Sequence, residues 1–206
     1  MITTEKIDLG QLHKDEYAAP KKPVLLTIAP ATYLGISGSG APGDPAFTTR
    51  IGALYAMAFT VKMTRKFAGK QDYTIGKLET QYWTEPAGRE FDAAAKNRWK
   101  WRLLIRTPDF VTEADLAGAA TVLLGKGKPA EVKEVGLISL TEGACVQMLH
   151  VGPYDRIGEA VAVMKVFAES KGLAFHGLHH EIYISDPRRG APERLKTILR
   201  EPVAKA

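Results

Sequence analysis

Glu181 is the residue whose neighbours best equip it for chemistry. It stands in the run Gly177-Leu178-His179-His180-Glu181-Ile182-Tyr183-Ile184-Ser185. In a strand, side chains alternate, so His179, Glu181, Tyr183 and Ser185 share one face while His180, Ile182 and Ile184 share the other. The isoleucine side is the natural core side towards a covering helix, which directs Glu181 and Tyr183 to an open groove. A carboxylate among aromatic rings loses hydration, which raises its pKa and suits it to act as a general base near neutrality. Tyr154 follows His150-Val151-Gly152-Pro153 at a strand-to-helix junction. From there its hydroxyl, like that of Tyr183, can donate to a developing oxyanion. The competing readings are a solvated strand carboxylate for Glu181 and a helix-entry anchor for Tyr154.

Further residues extend the expected ligand site. Glu79, Gln81 and Trp83 alternate with Leu78, Thr80 and Tyr82 in a strand of the first half of the chain. Placed across one groove from Glu181, Glu79 would let two acids hold a cation or divide acid and base roles. Met148 and His150 share a strand face and line the same wall, although a lone strand histidine is more often structural. Trp99 and Trp101 stand two apart, the spacing of a flat aromatic wall, and Tyr55 adds a ring from a helix. Core packing competes with ligand contact for Trp83, Trp99 and Trp101, and is the stronger reading for Tyr55 on an apolar helix face.

The elements that must position these residues show an internal repeat. An offset of 112 residues lays Val24–Ile28 over Gly136–Leu140 and Thr32–Gly40 over Ala144–Gly152. Each half thus begins with two apolar runs split by a short turn, Ala29-Pro30-Ala31 or Thr141-Glu142-Gly143, which reads as a hairpin. A helix follows in each half. Phe47, Ile51, Leu54, Tyr55, Ala58, Phe59 and Lys62 mark its face in the first, and Ile157, Ala160, Val161, Met164, Phe167 and Ala168 in the second. Two more strands close each half: Ile75–Trp83 and Trp99–Arg106, then His179–Ser185 and Leu195–Arg200. Thr112 and Asp115 have the spacing of a capped helix start, and that helix runs out at Gly125-Lys126-Gly127. The expected architecture is α+β, a duplicated β-β-α-β-β repeat with pseudo-two-fold symmetry around a central ligand groove. Residues 1–22 form an N-terminal extension and 23–203 the domain, with repeats over about 24–106 and 135–201 and the connecting helix over about 112–125.

Composition and motif checks narrow the function. The 206 residues are 45% hydrophobic and 25% charged, a balance that excludes wholesale disorder. Net charge is +5, but 28 Lys and Arg are spread among 23 acids with no basic run longer than a pair, so no direct nucleic-acid binding is expected. No segment is apolar enough for a membrane span and the first residues form no signal-type run, so the expected location is cytoplasmic. Cys145 is alone, which excludes an internal disulfide and a cysteine metal cluster. Gly38-Ser39-Gly40-Ala41-Pro42-Gly43 matches a dinucleotide fingerprint by letter, yet Pro42 and Pro45 interrupt it and no second parallel strand ends in an acid. His179 and His180 alternate faces and cannot easily share an ion with His176, so neither a metal nor a cofactor is expected.

The blocks Leu54–Lys62, Ile105–Phe110, His150–Asp155, Gly177–Arg189 and Pro192–Val203 resemble the GyrI-like small-molecule-binding domain family, of SHS2-type fold. The likeness runs from about Lys6 to Val203. It implies a two-repeat fold and a central aromatic pocket with a buried acid. It also implies a stand-alone member, similar to the hydrolases of cyclopropanoid genotoxins. In that reading Glu181 is the base, Tyr154 and Tyr183 are the donors, and the ligand is a flat hydrophobic aromatic. The alternatives are a non-catalytic module that sequesters hydrophobic cations and a gyrase-modulating protein; no sequence feature points to the gyrase partner. Where the family usually reads Leu-Glu-Gly-Leu-Trp-Trp, this chain has Leu78-Glu79-Thr80-Gln81-Tyr82-Trp83, so Gln81 and Tyr82 are expected to alter the pocket lining.

Overall fold

Alternating strand residues and locally capped helices give an antiparallel sheet with its longer helices on one side. The computed structural model describes residues 5–84 and 98–206. In chain order its elements are α1 (Leu9–Leu12), α2 (Lys14–Tyr17), β1 (Val24–Ile28), β2 (Ala31–Ser39), α3 (Pro45–Phe67), β3 (Leu78–Thr84) and β4 (Trp99–Arg106). There follow α4 (Glu113–Gly125), β5 (Gly136–Leu140), β6 (Gly143–Val151), α5 (Ile157–Glu169), β7 (Leu173–Phe175), β8 (His179–Tyr183) and β9 (Lys196–Lys205). Pro45 opens α3, where its missing N–H has no intrahelical acceptor to lose, and Arg65 and Lys66 oppose the dipole in the last turn. α4 starts on the expected capping box: Thr112 accepts from the Asp115 backbone, and Asp115 accepts from the Thr112 backbone. Asp115 also takes Arg65 Nη1 at 2.7 Å, which ties α4 to α3.

The strands run in the order β1-β6-β9-β8-β3-β4-β2-β5, with β7 on the outer end of β9, and every registered pair is antiparallel. Exchanging β1 with β5, β2 with β6, β3 with β8 and β4 with β9 leaves this order unchanged when read from the other end. β1 and β5, β2 and β6, and the first residues of α3 and α5 are each separated by the 112-residue offset seen in the sequence.

The expected hairpins are not formed. β1 pairs with β6 and β2 with β5, so each half sends its first strand to the second strand of the other. In the first half, Pro30 forces Ala29 towards an extended conformation, unlike the turn a two-residue hairpin needs. The helix face also differs in detail. α3 buries Phe47, Ala53, Leu54, Met57, Ala58, Val61 and Arg65, while Phe59 is left 54% exposed.

Cross-strand register shows what each face carries. One row runs Met148–Leu199–Glu181–Thr80–Leu103–Ile36 across β6, β9, β8, β3, β4 and β2. Its outer members pack under the helices: Met148 and Leu199 with Ala160 and Met164 of α5, and Leu103 and Ile36 with Leu54 and Met57 of α3. Glu181 and Thr80 are therefore the polar centre of an otherwise apolar row. A parallel row pairs Tyr82 with Trp101 and Trp101 with Gly38. A Cβ on Gly38 would lie 2.2 Å from the Trp101 ring, so the missing side chain makes room for the indole. That packing need, in an antiparallel strand, accounts for the first glycine of the dinucleotide-like string.

The other face carries Gln147, Arg200, His180 and Gln81 in one row and Leu149, Ile198, Ile182 and Glu79 in the next. The N-terminal segment is strapped to it. Leu149 N donates to Pro20 O at 2.8 Å, Arg200 Nη2 to Glu16 O at 2.9 Å, and Arg106 Nη1 to Glu16 Oε2 at 2.6 Å. Ile7 bridges to Tyr73 beside α3.

Candidate ligand groove

Glu181 is 4% exposed, at the centre of the helix-bearing face. Tyr183 and Tyr82 come from opposite ends of the two central strands, and their hydroxyls meet at 2.9 Å. Burial raises both phenols well above their ordinary value and the Glu181 charge adds to the rise, so both stay neutral proton donors. Tyr154 packs edge-on against Tyr183, with ring centroids 5.8 Å apart, and is 38% exposed. Burial and then the Glu181 charge push its phenol up as well. Tyr55 of α3 is raised first by burial and next by Asp186, which also acts on Tyr154. Glu181 is thus buried on the helix side of the sheet with Tyr82, Tyr183 and Tyr154 near its charge, and Tyr154 is the most exposed of the three.

Behind Glu181 lies His179, fully buried. Its Nε2 is 3.1 Å from Glu181 Oε1, and its Nδ1 is 2.5 Å from Glu201 Oε1. Burial alone would lower the imidazole pKa, but the two carboxylates outweigh it and raise it to about 9.

The expected site residues separate into groups. Glu181, Tyr183 and Tyr154 are brought together. Glu181 and Tyr183 occupy the helix side of the sheet, however, and Ile182 the opposite one, which reverses the expected core side. Burial of the Ile182 side comes from the N-terminal segment, a partner that strand alternation cannot reveal. Glu79, Gln81 and Trp83 also lie on that opposite face: Thr80, not Glu79, is registered with Glu181. The expected Glu79–Glu181 pairing across one groove is therefore corrected, because neighbouring residues in a strand point to opposite sides.

Trp101 is wholly buried. It meets Phe47 edge-on at 4.9 Å and donates from Nε1 to Gly40 O at 3.2 Å, so it is core rather than an open wall. Trp99 is 6% exposed and lies behind Tyr82, with ring centroids 5.0 Å apart. Met148 packs under α5, and His150 donates from Nε2 to Pro153 O at 3.0 Å, a turn contact. Of the two residues expected to alter the lining, Tyr82 is on the Glu181 side of the sheet and Gln81 is on the opposite one. Gln81 instead faces a 290 Å³ cleft on the other side, with Glu142, His176 and Pro202 among its walls. The sequence reading missed Thr80, Glu201 and the part played by His179. Alternation already placed His179 on the Glu181 face, but its partner Glu201 needed the β8–β9 register.

The opposite face holds a second buried histidine between acids. His180 Nδ1 is 2.8 Å from Glu142 Oε1, and Nε2 makes an ion-pair contact with Glu79 Oε2 at 3.1 Å without hydrogen-bond alignment. Tyr17 donates to Glu79 Oε1 at 2.7 Å, and Arg200 Nη1 to Glu142 Oε2 at 2.9 Å. Burial would lower the His180 pKa, but Glu142 and Glu79 raise it to about 9. Burial would raise the Glu142 carboxyl, but His180 and Arg200 hold it at about 2.

These shifts set a pH window for stability. A histidine raised from 6.5 to about 9 stabilises fully below 6.5 and loses that contribution as pH rises through 9. Glu142, lowered from 4.5 to about 2, stabilises above 4.5 and loses it as pH falls through 2. The melting temperature should be highest between these limits and fall by at least about 5 °C between pH 6.5 and 10. A melting temperature constant over that range would show that the two histidines fold neutral.

The chain belongs to the GyrI-like small-molecule-binding domain family, whose model matches residues 21–204. A structure of an uncharacterized conserved protein from Listeria innocua is 38% identical, with a TM-score of 0.89, over 97% of this chain and all (100%) of that one. Two structures described as hydrolases, also from Listeria innocua, are each 36% identical over 97% of this chain and 100% of theirs, with TM-scores of 0.87 and 0.85. No curated protein matches. No helix among the described residues is long and apolar enough to cross a membrane.

Proposed function

We propose that this protein is a hydrolase that opens a strained cyclopropane ring in a flat aromatic genotoxin, with Glu181 as general base. The observation that carries the reading is the buried Glu181 on the helix side of the sheet, with Tyr82, Tyr183 and Tyr154 raised by burial and by its charge and therefore neutral. The two 36%-identical structures described as hydrolases support the same class.

In the proposed reaction the ring is conjugated to a dienone. Glu181 takes a proton from water as the water oxygen bonds to a cyclopropane carbon. The breaking carbon–carbon bond delivers its electron pair into the dienone, which becomes a phenolate. Tyr183 or Tyr154 donates a hydrogen bond to that oxygen. Transfer of the proton from Glu181 to the phenolate completes net addition of water and restores the carboxylate. Stacking on the tyrosine rings would orient the ligand.

A second reading, sequestration of a hydrophobic cation, is favoured by the same carboxylate among aromatic faces, a cation–π arrangement. Incubation with a cyclopropane-bearing DNA alkylator and chromatography of the products separates the two. The hydrolase reading expects ring-opened product beyond one equivalent per protein; depletion that stops at one equivalent favours sequestration. No depletion and no product would overturn both for this compound class.

A further inference from the structure

We propose that His179, anchored by Glu201, is the positioning residue of the groove: it donates from Nε2 to Glu181 Oε1, holds Glu181 as an anion, and leaves Oε2 for the ligand. The inference deepens the functional reading above and rests on the groove being the ligand site.

The geometry assigns the protons. Nδ1 faces Glu201 Oε1 at 2.5 Å and Nε2 faces Glu181 Oε1 at 3.1 Å, and an ionised carboxylate can only accept. A ring that serves both must be protonated on both nitrogens. A neutral ring would donate to one acid only, leaving the other to take up a proton or stand as a buried uncompensated charge. Among the described residues, the other neighbours do not replace the imidazolium: Thr80 and Tyr82 from β3, Thr197 and Leu199 from β9, Tyr183 from β8, Tyr154 before α5 and Tyr55 from α3 bring no positive charge. Asp186, after β8, is negative and is held by Arg188 at 2.8 Å. The raised histidine pKa agrees with this assignment. The three charges sum to one negative charge, and Glu181 is the member that faces the groove tyrosines. His179 also orients Glu181, because the ring is fixed at its far end by a residue of a different strand.

Two measurements on the full chain test this. Nitrogen-15 spectra of histidine-labelled protein, with His179 assigned by His179→Gln, should show both ring nitrogens protonated at pH 7. A singly protonated ring at that pH overturns the proposal. The second measurement is affinity for thioflavin T, a flat aromatic cation, in the wild type and in His179→Gln, with melting temperature as the folding control. The glutamine can still donate to Glu181 but carries no charge, so it keeps the hydrogen bond and removes the counter-ion. The variant should bind more weakly than wild type, and by a larger factor at pH 6 than at pH 8.5, because lower pH favours a shared proton on an acid pair that has lost its counter-ion. Equal weakening at both pH values, the mark of a packing role, overturns the proposal, as does unchanged affinity at both. If the wild type does not bind the dye at any pH, the cation reading of the groove falls, and the nitrogen-15 result alone decides the role of His179.

Discussion

Replacing Glu181 by Gln should remove nearly all turnover of a cyclopropane substrate while leaving the fold intact. The amide has the same shape, and its oxygen can still accept from His179 Nε2, so the polar centre of the row stays satisfied. What is lost is the site that accepts the water proton as the new carbon–oxygen bond forms. Loss of a general base costs about 10²–10⁴ in rate, and substrate affinity for a neutral aromatic should change little. Sequestration of cations predicts a different outcome: affinity for a charged ligand drops because the amide no longer balances it. Rate, affinity and melting temperature on this one variant therefore tell the readings apart. If all three stay at wild-type values, Glu181 has no part in ligand chemistry.

Replacing Arg200 by Met should produce the largest loss of stability. Arg200 is 1% exposed, and its guanidinium donates to Gln147 Oε1, Glu142 Oε2 and Glu16 O, each at 2.9 Å. Methionine fills much of the volume but cannot donate. Glu142 would then keep His180 as its partner without the guanidinium, and the N-terminal segment would lose one of its ties to β9. Breaking a buried ion pair costs about 3–5 kcal/mol. For a chain of this size that is a fall of roughly 6–20 °C in melting temperature. Protease should also cut residues 5–20 sooner in the variant, because the strap is held by this network. A change in melting temperature under about 2 °C would show that the network contributes specificity rather than stability.

The groove and the strap share one structural device. His179 and His180 are consecutive, so they point to opposite faces, and each is buried between two carboxylates. The first lies behind the groove carboxylate; the second belongs to the network that receives the N-terminal segment. Glu79 and Glu181, expected as partners, are instead divided between these two assemblies.

How much of this could be read without the structure depends on how far apart the interacting residues lie. The 112-residue offset, the Trp99–Arg106 strand, the Thr112 cap and the alternation through His179–Tyr183 were legible because each depends on residue types a few positions apart. The same is true of Glu181 and Tyr183 sharing a face. Strand pairing was not legible. The Ala29-Pro30 turn reads locally as a hairpin, yet β1 finds its partner in Cys145 and its neighbours, more than a hundred residues away. The outer side of the central strands was misjudged for a related reason. Ile182 marks an apolar side, but alternation does not say whether helices or the N-terminal segment cover it.

The amino-acid sequence by itself therefore determined the elements, their repeat and the candidate acid, since propensity, capping and periodicity act over neighbouring residues. Only the tertiary structure decided that Glu181 faces Thr80 rather than Glu79, that Trp101 is core, and that Glu201 stands behind His179. Each of these is a matter of register between distant strands, where a shift of one residue sends every side chain to the other face.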